Sequence, residues 1–207
     1  MYRHEHQVVT AGVALVEAKK AIIFLHGRGA SAEEILSLSD HFDTADAALL
    51  APQASNNSWY PYSFLSPVSQ NQPALDSALE IIKSLVTAAI NAGIPQDQIY
   101  FIGFSQGACL TLEYVSRNAS QYGGVVAFTG GLIGKELDMK HYKGDFKKTP
   151  FLITTGDPDP HVPVSRVEVS AGIIKKMNAN VTVRIYPGRM HTISRKEIEL
   201  AKELIIG

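Results

Sequence analysis

The sequence of 207 residues contains one cysteine, Cys109, so no disulfide bond can form within the chain. The absence of a disulfide framework favours the cytoplasm over an oxidising compartment. No apolar stretch approaches the roughly 20 residues that a membrane-spanning helix needs. The first residues also lack the charged-then-apolar order of a signal peptide. These absences predict a cytoplasmic protein without stable membrane insertion.

The sequence also lacks an excess of charge of either sign. Its formal net charge is −1 and charged residues make up 19%, so electrostatics gives no reason to expect a nucleic-acid partner. Hydrophobic residues make up 45%, as in ordinary globular proteins. Without internal repeats or a Pro/Ser-rich linker, the length suits one α/β domain over residues 1–207.

Strand and helix patterns alternate along the chain. Continuous apolar runs, such as residues 21–25, are typical of strands covered on both faces. The alternation predicts an α/β fold with a mostly parallel, doubly wound sheet of about seven strands. The predicted strands are residues 7–13, 21–25, 47–51, 98–102, 125–128, 151–155 and 181–186.

A G-x-S-x-G motif occupies residues 103–107, between an apolar strand pattern and a helical pattern. This order is typical of a nucleophile elbow, a strained turn that lifts Ser105 above the carboxyl end of a sheet. The N–H groups that open the following helix favour negative charge at that point. The other interpretation is a glycine-rich turn with an incidental serine, so the remaining chemistry has to come from elsewhere in the chain.

Two other polar sites follow predicted parallel strands. A loop with Asp157 and Asp159 follows one strand, and His191 follows the last. Because parallel strands end at one edge of a sheet, we expect both sites near Ser105. The order Ser, Asp, His is that of α/β-hydrolases.

Each group suits a step of acyl transfer. A serine hydroxyl needs a base, and histidine titrates near neutral pH and can accept and return a proton. A carboxylate fixes the histidine tautomer. The backbone N–H groups of Gln106, next to the serine, and of Arg28, in an earlier turn, are predicted to form the oxyanion hole.

The remaining candidates are interpreted as structural. Asp157, Asp159 and His161 have a spacing that could hold a metal, but one acid plus turn residues is preferred because no other ligand cluster is present. We therefore predict no metal and no cofactor. His26 is expected to order the turn around Arg28, and Cys109 to be a small buried residue. The histidines interpreted as solvated are His4, His6, His41 and His141.

Four motifs occur in order: H-G-R-G at 26–29, G-F-S-Q-G at 103–107, D-P-H-V-P at 159–163 and G-R-M-H at 188–191. With them the chain resembles the carboxylesterase/phospholipase branch of the α/β-hydrolases, which includes acyl-protein thioesterases. The resemblance implies an α/β-hydrolase fold and a triad of Ser105, Asp159 and His191, with Asp157 left as a turn residue. It also leaves a homodimer open, since relatives are often dimeric.

The substrate site is predicted from the irregular stretch 52–72, because a loop of this length is usually functional. No stretch reads as a helical cap domain, and residues 134–149 read as a solvated loop, so we expect an open groove. Arg28 and Arg189 would add positive charge to it, unless they pair with carboxylates or point to solvent. The predicted walls are Trp59, Tyr60, Phe64, Leu65, Leu132 and Ile133, although the aromatics could instead tie the loop down.

The leading hypothesis is a serine hydrolase that cleaves small-molecule carboxylic esters or thioesters through an acyl-enzyme. The expected acyl or aryl groups are short or medium in length. The alternatives are a ligand receptor that keeps the triad but turns over poorly, and a lactone hydrolase or acyltransferase. Fold and triad are common to all of these, so the sequence leaves them open.

Overall fold

The computed structural model describes residues 2–206, in which seven strands form one sheet in the order β1-β3-β2-β4-β5-β6-β7. Strand β1 pairs antiparallel with β3 at one edge, and every other neighbouring pair is parallel. The mostly parallel, doubly wound α/β sheet predicted from the sequence is therefore confirmed. The strands are β1 Gln7–Gly12, β2 Lys20–Leu25, β3 Ala47–Gln53, β4 Ile99–Phe104, β5 Gly124–Phe128, β6 Pro150–Asp157 and β7 Asn180–Pro187.

Helices cover both faces of this sheet, as continuous apolar strands require. The α-helices are α1 Ala32–Leu36, α2 Val68–Asn71, α3 Ala74–Asn91, α4 Gln106–Arg117, α5 Val164–Lys176 and α6 Arg195–Leu204. Short 3₁₀ helices occupy Ser37–His41, Ser55–Asn57 and Gln96–Gln98. Across residues 2–206, no helix has both the length and the apolar character needed to span a bilayer.

The strand side chains alternate between two apolar cores. Ile22 and Phe24 of β2 pack in the core with α1 and α6, whereas Ile23 and Leu25 pack in the core with α3, α4 and α5. All four side chains are fully buried. Parallel strands sandwiched in this way must end at one edge, and that edge carries the polar loops discussed below.

Of the two long insertions, residues 134–149 differ from what the sequence predicts. Residues 52–72 contain only two short helical segments, and the described part of the chain has no separate cap domain over the sheet edge. Residues 134–149 were expected to be a solvated loop, but Phe146 is fully buried against Phe151 and the Tyr142 hydroxyl reaches a buried carboxylate, Glu113. Two aromatic residues in a polar sequence thus anchor this loop in the core.

Candidate active site

Ser105 lies at the junction of β4 and α4 with backbone angles φ +54° and ψ −116°. A non-glycine residue in such a conformation costs about 1–3 kcal/mol and persists only where the surroundings fix it. The Ser105 N–H donates to the Phe128 carbonyl of β5 at 2.9 Å, and the Ser105 carbonyl accepts from the Cys109 N–H at 3.0 Å. These bonds hold the turn from both sides and leave the hydroxyl free to project from the sheet edge.

Two glycines allow the elements around Ser105 to approach closely. A Cβ atom on Gly107 would lie 2.0 Å from the Leu25 carbonyl oxygen, so the start of α4 runs directly against the end of β2. A Cβ atom on Gly27 would lie 3.5 Å from the Cβ atom of Ser105. The H-G-R-G turn and the nucleophile elbow are therefore in direct contact.

His191 and Asp159 line up with Ser105. His191 Nε2 lies 2.8 Å from Ser105 Oγ, and His191 Nδ1 lies 2.9 Å from Asp159 Oδ2. The His191 side chain is 20% exposed and that of Asp159 is fully buried. The structure thus brings together the three side chains predicted as a triad, although they come from three different strand ends.

Asp159 is held as a carboxylate. Burial opposes its ionisation, but the hydrogen bond with His191 and the N–H groups of His161 and Val162 outweigh it, and the pKa of Asp159 is lowered. Both N–H groups donate to Oδ1 at 2.9 Å, which leaves Oδ2 for the histidine. Asp157 lies at the exposed end of β6, and its backbone carbonyl accepts from Gly188. Asp159 is therefore the carboxylate that contacts His191.

The N–H groups predicted for the oxyanion hole belong to Arg28 and Gln106. In residues 2–206 neither of them donates a hydrogen bond to a protein group. Bonds from Gly29 to Asn57 and from Ala30 to Gly27 close the turn that carries Arg28. Both residues line the cleft beside Ser105, so these two N–H groups are candidate donors to a developing oxyanion.

The side chains of His26 and Trp59 fix this turn. His26 Nδ1 lies 2.7 Å from the Gly27 carbonyl, while His26 Nε2 accepts from the Ala54 N–H at 3.1 Å. Burial lowers the pKa of His26, so the ring stays neutral and can play both roles. The Trp59 indole N–H donates to the His26 carbonyl at 2.9 Å. His26 orders the turn, as expected from the sequence.

The Gln106 side chain makes hydrogen bonds that the sequence did not predict. Its side-chain carbonyl accepts from the Trp59 N–H at 2.9 Å, and its amide donates to the Tyr60 carbonyl at 2.8 Å. The residue next to the serine therefore also fastens the loop of residues 52–72. The identity of the glutamine in G-F-S-Q-G is the one signal that could have suggested this.

An open cleft of about 530 Å³ lies beside Ser105 and His191. Three of the six predicted wall residues line it, namely Tyr60, Phe64 and Leu65. The other lining residues are Arg28, Pro61, Tyr62, Ser63, Gln106, Cys109, Pro160, His161, Val162 and Pro163. The cleft is thus bordered by one loop from residues 60–65 and another from residues 160–163.

Trp59, Leu132 and Ile133 do not line this cleft, which corrects the predicted wall. Trp59 is fully buried and its ring packs on His26 at a centroid distance of 4.9 Å. Leu132 is also fully buried, with its N–H bonded to Ser170. Ile133 borders a separate cavity. All three side chains are buried. The sequence pattern of an apolar loop residue is the same whether that residue lines a cleft or is buried elsewhere.

The two arginines have different environments. Arg28 is one of the residues that line the cleft, and its guanidinium donates to the backbone carbonyls of Tyr60, Pro61 and Tyr62 at 2.8–2.9 Å. Arg189 is absent from the cleft lining, and its Nε lies 3.4 Å from the buried carboxylate of Glu197. Arg189 therefore does not line the cleft. It pairs with a carboxylate instead, which is the alternative that the sequence left open.

Two further residues, Cys109 and His4, were given no catalytic role by the sequence. Cys109 is buried as expected, and burial raises the pKa of its thiol to about 12. His4 was expected to be solvated, but it is 7% exposed and its Nε2 lies 2.9 Å from the Trp59 carbonyl. No grouping of three or more His, Cys, Asp or Glu side chains suited to a metal ion occurs within residues 2–206.

Comparison with known proteins identifies the family. The sequence profile described as phospholipase/carboxylesterase matches residues 4–206. The chain belongs to this family. Within it, the chain is 31% identical to acyl-protein thioesterase 1 of Debaryomyces hansenii over 211 residues, which cover 91% of this chain and 90% of that protein. The resemblance inferred from the four motifs is thereby confirmed, and the chain is a hydrolase of the ester and thioester class.

Two solved structures have the same fold as this chain. The structure from Dyadobacter fermentans is 59% identical, has a TM-score of 0.96, and covers 98% of this chain and 97% of its own. A carboxylesterase from Bacillus cereus has 20% identity and a TM-score of 0.78, with coverage of 96% of this chain and 92% of its own. At that identity the second likeness supports the α/β-hydrolase fold alone.

Proposed function

We propose that this phospholipase/carboxylesterase family member cleaves carboxylic esters or thioesters through an acyl-enzyme on Ser105. The observation that carries the proposal is the hydrogen-bonded line from Asp159 through His191 to Ser105, with distances of 2.9 and 2.8 Å. Such a line supplies the nucleophile, the base and the group that orients the base.

In the proposed first step, Ser105 Oγ attacks the substrate carbonyl carbon while His191 Nε2 takes the hydroxyl proton. The carbonyl oxygen becomes an oxyanion that the N–H groups of Arg28 and Gln106 stabilise. When the carbonyl re-forms, the bond to the leaving group breaks, and His191 returns the proton to that alcohol or thiol. Water then repeats the sequence on the acyl-serine, releasing the acid and restoring Ser105.

Asp159 acts on the ring rather than on the substrate. Its Oδ2 accepts the Nδ1 proton of His191, which leaves Nε2 unprotonated and facing Ser105. The carboxylate also stabilises the imidazolium formed during attack. The lowered pKa of Asp159 keeps this charge in place through the neutral pH range.

The cleft supports short or medium acyl or aryl groups. It is open, it holds about 530 Å³, and the residues that line it include Tyr60, Phe64, Leu65 and Val162. A closed tunnel that would desolvate a long chain is not formed by these loops. Acyl groups of increasing length should therefore gain little once they extend past the walls.

Burst kinetics test the proposal and separate it from a triad-bearing receptor. With p-nitrophenyl acetate and p-nitrophenyl hexanoate, we expect a burst equal to the enzyme concentration followed by steady turnover. A burst without turnover would indicate the receptor alternative. The control is Ser105→Ala, which should show neither phase, and turnover by that variant would refute the role of Ser105.

A further inference from the structure

The turn that carries His191 has few backbone restraints of its own. It joins β7 to α6, and the Met190 side chain next to the histidine is 79% exposed. The Gly188 N–H donates to Asp157 of β6, but the Thr192 N–H only reaches back to Met190 within the turn. A catalytic base on such a segment needs another means of being held in place.

The Arg189 side chain crosses beneath this turn. It is 7% exposed, and its Nη1 donates to the carbonyls of Met190 and Thr192, one on each side of His191. Its Nη2 donates to Thr129 Oγ1 at 2.6 Å, and Thr129 follows β5 with φ +60°. One planar guanidinium therefore joins both flanks of the histidine to a neighbouring strand end.

Glu197 completes the arrangement from α6. Its carboxylate is fully buried and accepts from Thr154 Oγ1 on β6 and from both the N–H and the hydroxyl of Ser194. Its Oε2 also lies 3.4 Å from Arg189 Nε. The buried positive charge of Arg189 is thus balanced. The pair links the turn after β7 to β6, to the end of β5 and to α6.

We propose that Arg189, held by Glu197, is a positioning residue that fixes His191 in line between Ser105 and Asp159. The inference rests on the proposed function, because it concerns the base of that reaction. Arg189 touches neither the substrate cleft nor a reacting atom. Its effect is transmitted by the carbonyls of the two residues that flank the histidine.

The geometry makes the reaction sensitive to this support. His191 has to maintain contacts of 2.8 and 2.9 Å on opposite sides of one ring. A displacement of about 1 Å can cost on the order of 100-fold in rate. Because His191 serves both acylation and deacylation, both steps should slow together, and KM should then change little while kcat falls.

The test compares Arg189→Lys and Arg189→Met with Arg195→Met. The control arginine lies on the same helix–turn segment, but it is 91% exposed and its ionic partner within residues 2–206 is Glu199, one turn along α6. Each variant is melted to verify folding, and its competent sites are counted by complete labelling of Ser105 with a fluorophosphonate. The kinetic constants for p-nitrophenyl acetate are then expressed per labelled site.

We expect kcat per labelled site to fall roughly 10- to 100-fold in Arg189→Met, with KM within about twofold of wild type. Arg189→Lys keeps the charge but loses the planar fork, so its kcat should lie between the two. Arg195→Met should match wild type. Wild-type kcat per site in Arg189→Met, or an equal loss in Arg195→Met, would overturn the inference.

Thr129→Ala provides an answer if Arg189→Met does not fold. It removes only the 2.6 Å bond to Arg189 Nη2, so a partial loss of kcat at unchanged KM supports the inference and a wild-type kcat contradicts it. Failure of the proposed function itself looks different. In that case the wild-type enzyme would show no turnover, or Ser105→Ala would remain active.

Discussion

Replacing Asp159 by asparagine should place His191 in the wrong tautomer. Asp159 Oδ1 accepts two backbone N–H bonds, from His161 and Val162, each at 2.9 Å. In Asp159→Asn the amide oxygen has to occupy that position, because the NH₂ group cannot accept. The NH₂ group then faces His191 Nδ1, which must become the acceptor, and the ring proton moves to Nε2, where it blocks uptake of the Ser105 proton.

The structure sets the size of this effect. Flipping the amide would restore the tautomer but would leave the two N–H groups without an acceptor, at about 1–3 kcal/mol each. The amide orientation that supports the active His191 tautomer is therefore disfavoured by roughly 2–6 kcal/mol. This corresponds to a loss in kcat of about 30-fold to 3 × 10⁴-fold. Loss of the carboxylate charge beside the imidazolium adds to it.

The assay is kcat for p-nitrophenyl acetate, with thermal melts to establish that the variant folds. The matched control is Asp157→Asn. It changes an exposed carboxylate at the end of β6, two residues before Asp159, and its kcat should remain within about twofold of wild type. A loss below about 10-fold in Asp159→Asn, or an equal loss in Asp157→Asn, would refute the tautomer argument.

Gly107→Ala should prevent folding or abolish activity, since the new Cβ would lie 2.0 Å from the Leu25 carbonyl oxygen. Gly172→Ala, in helix α5 with open space around it, should instead raise stability by about 0.5–1 kcal/mol, and denaturant titration of both variants measures the contrast. Stability should decrease as the pH falls below 6.5, because burial lowers the pKa of His4 and His26 and the unfolded chain then binds more protons. Melts from pH 8 to 5 test this, and an unchanged midpoint would contradict it. Burial raises the pKa of Cys109 to about 12, so this thiol should resist iodoacetamide at pH 8 in the folded enzyme. Rapid alkylation of Cys109, detected by mass spectrometry, would disprove that.

Local signals in the sequence were sufficient for the sheet and for the elbow. Short continuous apolar runs such as residues 21–25 are typical of strands covered on both faces, and residues 21–25 lie in such a strand, β2. The G-x-S-x-G motif gave the positive-φ turn at Ser105 because only glycines permit the close approach of α4 to β2. These features depend on neighbours in sequence, which is why the chain itself determined them.

Tertiary structure decided which side chains face the cleft. Trp59 and Tyr60 are adjacent aromatics in one loop, yet only Tyr60 lines the cleft, because the Trp59 ring fills the space beside His26. For Arg189 the sequence left open both a place in the cleft and a pair with a carboxylate, and Glu197, buried on α6, forms that pair. Neither outcome has a signal in the sequence pattern, since each depends on a partner that only the folded packing brings into contact.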